Sequence, residues 1–153
     1  MSAAFPFEAE RLVRFADCDP AGIVYFPRYF DFRHGALEDW FSAALSVNYW
    51  SMLRDRGLGL PAVRSECDFR RPSRMGDTLR IAVLVERVGG ASLTTRFRLR
   101  CDDELRAEAR LVQVTMPIGG TAAIPVPHDL RDLFEAYRLA CTAASGAAAP
   151  PFP

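Results

Sequence analysis

The second half of the chain contains three long segments in which apolar and polar residues alternate. The apolar positions of the first are Leu79, Ile81, Val83 and Val85, and the next two segments are residues 91–101 and 105–116. A period of two is typical of a β-strand with one buried face. Short breaks at Gly89-Gly90 and at residues 102–104 separate the segments. We therefore expect three consecutive antiparallel strands joined by hairpins.

Shorter strands are predicted before and after this unit. Residues 7–15 alternate imperfectly, and residues 62–70 also favour a strand. After the Gly-rich turn at residues 118–121, a final short strand is expected to end at Pro127. The pattern as a whole predicts a sheet of five or six strands.

The longest helical pattern follows Pro27, which is favourable in a first helical turn because its missing N–H has no partner there. Phe30, Leu37 and Phe41 recur at spacings of seven and four. This spacing predicts an amphipathic helix with one apolar stripe. His34 falls on that stripe, so we expect its side chain to face the packed side of the helix.

Two further helices and a tail complete the predicted layout. A short helix covers about residues 48–56, and a C-terminal helix runs from about Asp129 to Ala140. Residues 143–153 are rich in Ala and Pro and are predicted to be disordered, which leaves residues 1–142 as a single domain. The order of elements favours the α+β class, with a curved antiparallel sheet wrapped round one long helix.

Composition narrows the classes of protein that need to be considered. The chain has 153 residues, of which 50% are hydrophobic and 25% are charged, as in an ordinary globular domain. Lys and Arg together number 19, as do Asp and Glu, so the net charge gives no case for nucleic acid or an anionic membrane. The N-terminus lacks a secretory pattern and no apolar run reaches the roughly 20 residues that span a bilayer. We expect a cytoplasmic protein.

The distribution of cysteine and arginine adds two observations. The four cysteines are widely spaced and form no Cys-x-x-Cys pair, so neither a metal site nor a disulfide framework is indicated. Arginines are frequent between residues 64 and 110. They either form solvated strand faces or supply phosphate contacts for a ligand that carries a nucleotide.

The most informative chemistry lies in residues 15–30, immediately before and inside the first helix. Asp17-Cys18-Asp19-Pro20-Ala21-Gly22 places two carboxylates in a turn that leads to a helix start. Such a start carries unpaired N–H groups and a partial positive charge, which can stabilise an anion that forms on a reacting carbonyl. A carboxylate and an oxyanion donor from one short segment are the minimum needed to hydrolyse an activated acyl group.

The run from Asp17 to Val24, followed by Pro27 and Tyr29, closely resembles the 4-hydroxybenzoyl-CoA thioesterase family of hotdog-fold proteins. The later strands resemble that family more weakly, over about residues 7–130. The resemblance implies a hotdog fold and hydrolysis of an acyl-CoA thioester with an aromatic or otherwise bulky acyl group. It implies no metal or redox cofactor. It also implies a homodimer or homotetramer, with the acyl site between subunits, and no nucleic-acid or membrane partner.

The resemblance assigns roles to particular positions. Asp19 matches the catalytic carboxylate, as nucleophile or as general base, and the backbone N–H of Phe26 matches the donor to the thioester oxygen. Gly22 allows a strained turn or a close approach of the acyl group, whereas Asp17 is interpreted as structural. His34 stands where the resembling enzymes have an acidic residue that binds the substrate's phenol. It either contacts a differently substituted ring or is a core residue.

Two other functions remain open from the residues alone. One is a hotdog hydratase or dehydratase acting on an acyl thioester, in which His34 would work with an acid. The other is a non-catalytic acyl-CoA-binding protein. Thiol release from a set of CoA esters distinguishes both from a thioesterase.

Overall fold

The computed structural model describes residues 5–145, which form seven strands, three α-helices and a short 3-10 turn at Phe15–Asp17. The strands are β1 (Glu8–Leu12), β2 (Leu58–Gly59), β3 (Ala62–Phe69), β4 (Thr78–Val88), β5 (Ser92–Cys101), β6 (Glu104–Val114) and β7 (Met116–Pro117). The helices are α1 (Arg28–Ala43), α2 (Tyr49–Arg54) and α3 (His128–Ser145).

Five of these strands form one antiparallel sheet in the order β1-β4-β5-β6-β3. The three long central strands are consecutive in the chain and joined by hairpins, as their alternating pattern predicts. Asp102 and Asp103 both take positive φ angles, 48° and 64°, which the tight β5-β6 turn requires. Strands β2 and β7 pair separately as a small ribbon. In the part of the chain that the structure describes, β3 pairs only with β6 and is an edge strand.

One hydrophobic core lies between the sheet and the two long helices. Val83 and Phe97 face each other across β4 and β5 and are completely buried. Trp40 of α1 stacks on Phe134 of α3, with ring centroids 6.0 Å apart and planes 20° apart. The hydroxyl of Tyr137 donates to the carbonyl of Val83 at 2.8 Å, which ties α3 to the sheet. Both long helices are therefore fixed on β4 and its neighbours.

Several of the arginines on the strands are engaged by glutamates on other strands of the same sheet, either the adjacent strand or the next strand but one. Arg110 lies 3.0 Å from Glu86, and Arg96 and Arg98 each lie 3.5 Å from Glu108. Opposite charges placed side by side on a sheet stabilise strand pairing. These arginines belong to the strand faces, as one of the two interpretations of the sequence proposed.

The expected orientation of His34 is wrong. The buried residues of α1 are Tyr29, Phe32, Arg33, Ala36, Leu37, Trp40 and Phe41. This stripe is rotated relative to the expected one, because Trp40 and Ala36 lie at its centre and a charged residue, Arg33, occupies a buried position. His34 consequently lies outside it, with half of its side chain exposed.

Two predicted boundaries also differ from the structure. No strand covers residues 121–127; instead the chain pairs earlier, where Met116 meets Gly59 in the β2-β7 ribbon. The last helix extends through Ser145, so residues 143–145 are not part of a disordered tail. The remainder of the predicted tail, residues 146–153, lies outside the described residues. None of the helices between residues 5 and 145 is both long and apolar enough to cross a membrane.

The stacked aromatic pair predicts a large difference between two positions of α3. Phe134→Ala should lower the free energy of unfolding by about 3–5 kcal/mol, because it leaves a cavity under Trp40. Leu139→Ala, on the same helix but at a position that is 60% exposed, should change it by less than about 0.5 kcal/mol. Urea unfolding at fixed protein concentration measures both, and equal effects would contradict the placement of α3.

Candidate active site

The acidic motif folds into a miniature hairpin directly before α1. Its two arms are joined by hydrogen bonds from Tyr25 N to the Asp17 carbonyl (2.8 Å) and from Asp19 N to the Ile23 carbonyl (3.0 Å). The tip is the turn from Asp19 to Gly22, closed by Gly22 N donating to the Asp19 carbonyl at 2.9 Å. Asp, Pro and Gly are favoured at the first, second and fourth positions of a type I turn. Gly22 has φ +77°, which a residue with a Cβ adopts only at a cost.

Asp17 is the anchor of this hairpin. Its carboxylate is buried, and it accepts from Arg14 N through Oδ2 at 2.8 Å. Its Oδ1 accepts from both Nη2 and Nε of Arg28, at 2.7 and 3.0 Å. The hydrogen bond to Asp17 raises the pKa of Arg28. Asp17 therefore joins the segment before the hairpin to the first turn of α1, which is the structural role expected of it.

Asp19 lies at the tip and is much less engaged. Its Oδ1 accepts from Ala21 N at 2.8 Å, which fixes the side chain against the turn. Within residues 5–145 its Oδ2 has no hydrogen-bond partner and the carboxylate has no ion pair. One carboxylate oxygen is thus held in place while the other is available to a ligand.

The N-terminus of α1 leaves one amide without an acceptor. Arg28, Tyr29 and Phe30 donate to carbonyls three residues earlier, at 2.8, 3.2 and 3.0 Å. Pro27 has no N–H, and its position before the helix provides no side-chain cap. Among the described residues nothing accepts a hydrogen bond from Phe26 N. This amide is therefore free to donate to an oxygen that carries negative charge.

Phe26 also lines a cleft of about 360 Å³. It is lined by Ile23, Val24, Phe26, Tyr29, Phe69, Arg70, Arg71 and Pro72. The ring of Phe69, at the end of β3, lies 6.2 Å from that of Phe26 and 5.4 Å from that of Tyr29. Asp19 is not part of the lining, but its hairpin partner Ile23 is. Asp19 therefore belongs to a hairpin whose other arm lines a cleft with aromatic walls and two arginines.

Tyr29 is fixed in the cleft wall by the loop between β3 and β4. Its hydroxyl donates to Oγ of Ser73 at 3.0 Å, and the Ser73 carbonyl accepts from Val24 N at 2.8 Å. Burial raises the pKa of Tyr29, so its hydroxyl is neutral at physiological pH. Ser73 thus connects the wall of the cleft to the hairpin.

The other two expected site residues are not in the cleft of their own chain. A Cβ added to Gly22 would meet nothing within 4 Å, so its positive φ is what favours glycine there. His34 Nε2 lies 3.1 Å from Glu38 on the exposed side of α1, and the His34 ring meets Tyr49 edge-on at 6.0 Å. Asp19 and Phe26 lie in the same short segment before and at the start of α1, Phe26 lines the cleft, and His34 lies on another surface of α1.

The sequence pattern does not predict the aromatic wall. Tyr29 belongs to the acidic motif and Phe69 lies in the strand predicted for residues 62–70, and neither pattern brings the two rings together. A signal existed, because an aromatic residue at the end of an edge strand is followed by two arginines and a proline. Between residues 5 and 145 there is no cluster of three His, Cys, Asp or Glu side chains arranged to hold a metal ion.

Comparison with known proteins shows which family the chain belongs to. A model of the thioesterase-like superfamily matches residues 13–134, which is more than half of the chain. The 1,4-dihydroxy-2-naphthoyl-CoA hydrolase of Synechococcus elongatus is 32% identical over 127 residues, 82% of this chain and 93% of that protein.

Two solved structures extend the comparison. A 1,4-dihydroxy-2-naphthoyl-CoA thioesterase from Synechocystis matches with a TM-score of 0.76 and 25% identity, over 84% of this chain and 94% of that one. A gentisyl-coenzyme A thioesterase matches with the same TM-score and identity, over 84% and 99%.

These matches confirm the expected hotdog fold and the expected thioester hydrolase. They do not single out the narrower 4-hydroxybenzoyl-CoA branch. The chain belongs to the thioesterase-like superfamily.

Proposed function

We propose that this protein hydrolyses aromatic acyl-CoA thioesters, with Asp19 as the reacting carboxylate and Phe26 N–H as the donor to the thioester oxygen. Two observations carry the proposal: the free amide belongs to Phe26, which lines an aromatic cleft, and the hairpin that supplies Ile23 to the same cleft carries a carboxylate with one unengaged oxygen. Charge develops on the carbonyl oxygen when a thioester is attacked, and a fixed N–H stabilises it there. Substrate binding therefore needs no rearrangement of the helix start.

Asp19 can act by two routes. As a nucleophile, its oxygen attacks the thioester carbon, the C–S bond breaks, CoA leaves as thiolate, and water hydrolyses the resulting mixed anhydride. As a general base, it removes a proton from the water that attacks the same carbon. In both routes the thiolate is a good leaving group, so a strong general acid is not required. The hydrogen bond from Ala21 N keeps the reacting carboxylate from rotating freely.

The walls of the cleft favour an aromatic acyl group. Phe26, Tyr29 and Phe69 meet edge to face around the cleft, and aromatic rings prefer such edge or offset arrangements with one another. The relatives described above are named for dihydroxynaphthoyl and gentisyl esters, both of which carry hydroxylated rings. We infer a hydroxylated aromatic acyl group for this chain, a class that includes the 4-hydroxybenzoyl group suggested by the motif.

The edge strand supports a homodimer. In the described residues β3 has no partner beyond β6, and its Val63 and Phe69 side chains are 61% and 48% exposed. An unpaired edge with apolar side chains is a template for a second strand. Pairing of β3 with its copy would place another protomer beside the cleft. His34, which is exposed in its own chain, would then contact substrate from the second protomer.

The central prediction concerns Asp19. Asp19→Asn should lower kcat for a benzoyl- or hydroxybenzoyl-CoA ester by about 10²–10⁴-fold, because the amide neither attacks carbon nor accepts a proton. Thiol release under saturating ester measures this, and circular dichroism checks the fold. Asp31→Asn is the matched control, since Asp31 is an exposed carboxylate in the first turn of α1. An Asp19→Asn enzyme that retains most of its thiol release would refute the assignment.

The contacts of Asp17 predict a difference in stability and activity between two further variants, Asp17→Ala and Asp31→Ala. Asp17→Ala should lower the free energy of unfolding by about 1–3 kcal/mol, because it leaves Arg14 N and Arg28 without their acceptor. Arg28 would keep only its exposed partner Asp31. The variant should also lower kcat by about 10- to 100-fold through misplacement of the hairpin.

Asp31→Ala removes the other carboxylate partner of Arg28. It should change the stability by less than about 0.5 kcal/mol, since this ion pair is exposed. Urea unfolding and steady-state kinetics of both variants decide the matter. Equal effects at the two positions would show that Asp17 has no special role.

One observation favours a different reaction. His34 and Glu38 form the His-acid pair that a hydratase needs, at 3.1 Å. Hydration of an enoyl-CoA ester without thiol release, lost in His34→Ala and retained in Asp19→Asn, would establish that reaction instead. Tight binding of aroyl-CoA with no reaction of either kind would indicate a binding protein.

A further inference from the structure

The centre of α1 contains a buried guanidinium without a counterion. Arg33 is only 7% exposed. Its Nη1 donates to Oγ of Ser65 on β3 at 2.8 Å. Its Nε is enclosed without a hydrogen-bond partner, and no carboxylate among residues 5–145 lies within ion-pair distance of it. Among residues 5–145, the one hydrogen bond of this guanidinium is therefore that from Nη1 to Ser65, and Nε is enclosed without an acceptor.

This arrangement is costly for the protein by itself. A buried charge without a partner loses its hydration, and burial lowers the pKa of Arg33 accordingly, although a guanidinium stays protonated at physiological pH. The rings of Phe30 and Phe97 lie 5.1 and 5.8 Å from its Cζ, and these cation–π contacts offset part of the lost hydration free energy. A hydrogen bond to an oxygen acceptor of a ligand would offset more of it.

Arg33 lies on the continuation of the cleft. Side chains of β3 alternate in direction, so Ser65 points to the same side as Phe69. The pair Tyr29 and Phe69 forms the wall of the cleft, and the pair Arg33 and Ser65 follows one helical turn farther along α1. Arg33 and Ser65 do not line the cleft itself, but they lie on the same two elements as its aromatic wall, one helical turn farther along α1.

The distance along α1 suits an aromatic acyl group. Long side chains on a helix lean towards its N-terminus, and the contact with Phe30 shows that Arg33 does so. Its guanidinium is therefore directed along α1 towards the helix start, which follows Phe26. An aroyl group held by its carbonyl oxygen at Phe26 N would direct the far edge of its ring towards Arg33.

We propose that Arg33 selects acyl groups whose ring carries an acceptor oxygen, either a hydroxyl or a carboxylate, at the end remote from the thioester. The inference rests on the proposed function and adds a specificity residue to it. A guanidinium accommodates both oxygens, but it binds a carboxylate in a bidentate manner and a hydroxyl through one bond. The two acceptors are therefore separate arms of the test.

The test compares three esters: benzoyl-CoA, 4-hydroxybenzoyl-CoA and 4-carboxybenzoyl-CoA. The wild type should prefer at least one of the oxygen-bearing esters over benzoyl-CoA in kcat/KM. Arg33→Met should reduce that preference by about 10- to 100-fold while benzoyl-CoA hydrolysis is retained, and Arg33→Lys should keep part of it. Arg54→Met is the matched control, because Arg54 is an exposed arginine that also lies over an aromatic ring, and it should change nothing.

Each other outcome is decisive. Equal losses for all three esters would show that Arg33 only supports the fold, and an unchanged preference would show that it does not meet the ring. A change in oligomeric state without a change in preference would assign its counterion to a second protomer. If the wild type releases thiol from none of the esters, the proposed function fails. In that case, calorimetry measures the affinity of each oxygen-bearing ester relative to benzoyl-CoA for the wild type, Arg33→Met and Arg33→Lys. These affinity ratios test the role of Arg33 independently of hydrolysis.

Discussion

The candidate site depends on the carboxylate of Asp17, which is engaged on both of its oxygens. One oxygen accepts from Arg14 N, before the hairpin, and the other accepts from Arg28, in the first turn of α1. The hairpin that carries Asp19 therefore begins and ends on the same buried group. Because the two ends cannot separate, the tip is fixed relative to the helix start. A reacting carboxylate and a donor amide must be held to within a fraction of an ångström for efficient catalysis, and this anchor supplies that restraint.

The second constraint is the pattern of hydrogen bonds where α1 begins. The usual cap at this end would be a side-chain oxygen that accepts from the first amides. Pro27 has none to offer, and the next three amides turn back to carbonyls three residues earlier. Phe26 N stands one residue before the proline and, among the described residues, has no acceptor. The N-terminal end of the helix dipole is positive, so this amide lies where an anionic oxygen is stabilised.

The sequence predicted the parts of the structure that short-range rules control. Alternation in β4, β5 and β6 predicts the three strands, and Asp-Pro-Ala-Gly predicts the turn.

The orientation of α1 is predicted less well, because the expected apolar stripe runs through Phe30 and does not include Arg33. A buried arginine violates the rule that charges face water, and only tertiary packing against Ser65 and Phe97 reveals it. The prediction of a strand at residues 121–127 was wrong for a related reason. The strand that forms, β7, depends on pairing with Gly59, which is distant in sequence. The cleft needed Phe69 and Tyr29 to meet across 40 residues, and no local pattern encodes that contact.

The position of the thioester oxygen at Phe26 N can be tested directly with a single structure. A CoA ketone in which a methylene separates the aromatic carbonyl from the sulfur cannot be hydrolysed, yet it retains the oxygen that the enzyme must polarise. A crystal structure with this compound should place its carbonyl oxygen about 2.7–3.1 Å from Phe26 N. The carbonyl carbon should face the free oxygen of Asp19, with the ring in the cleft between Tyr29 and Phe69. A carbonyl oxygen bound elsewhere, with Phe26 N still unpaired, would contradict the account.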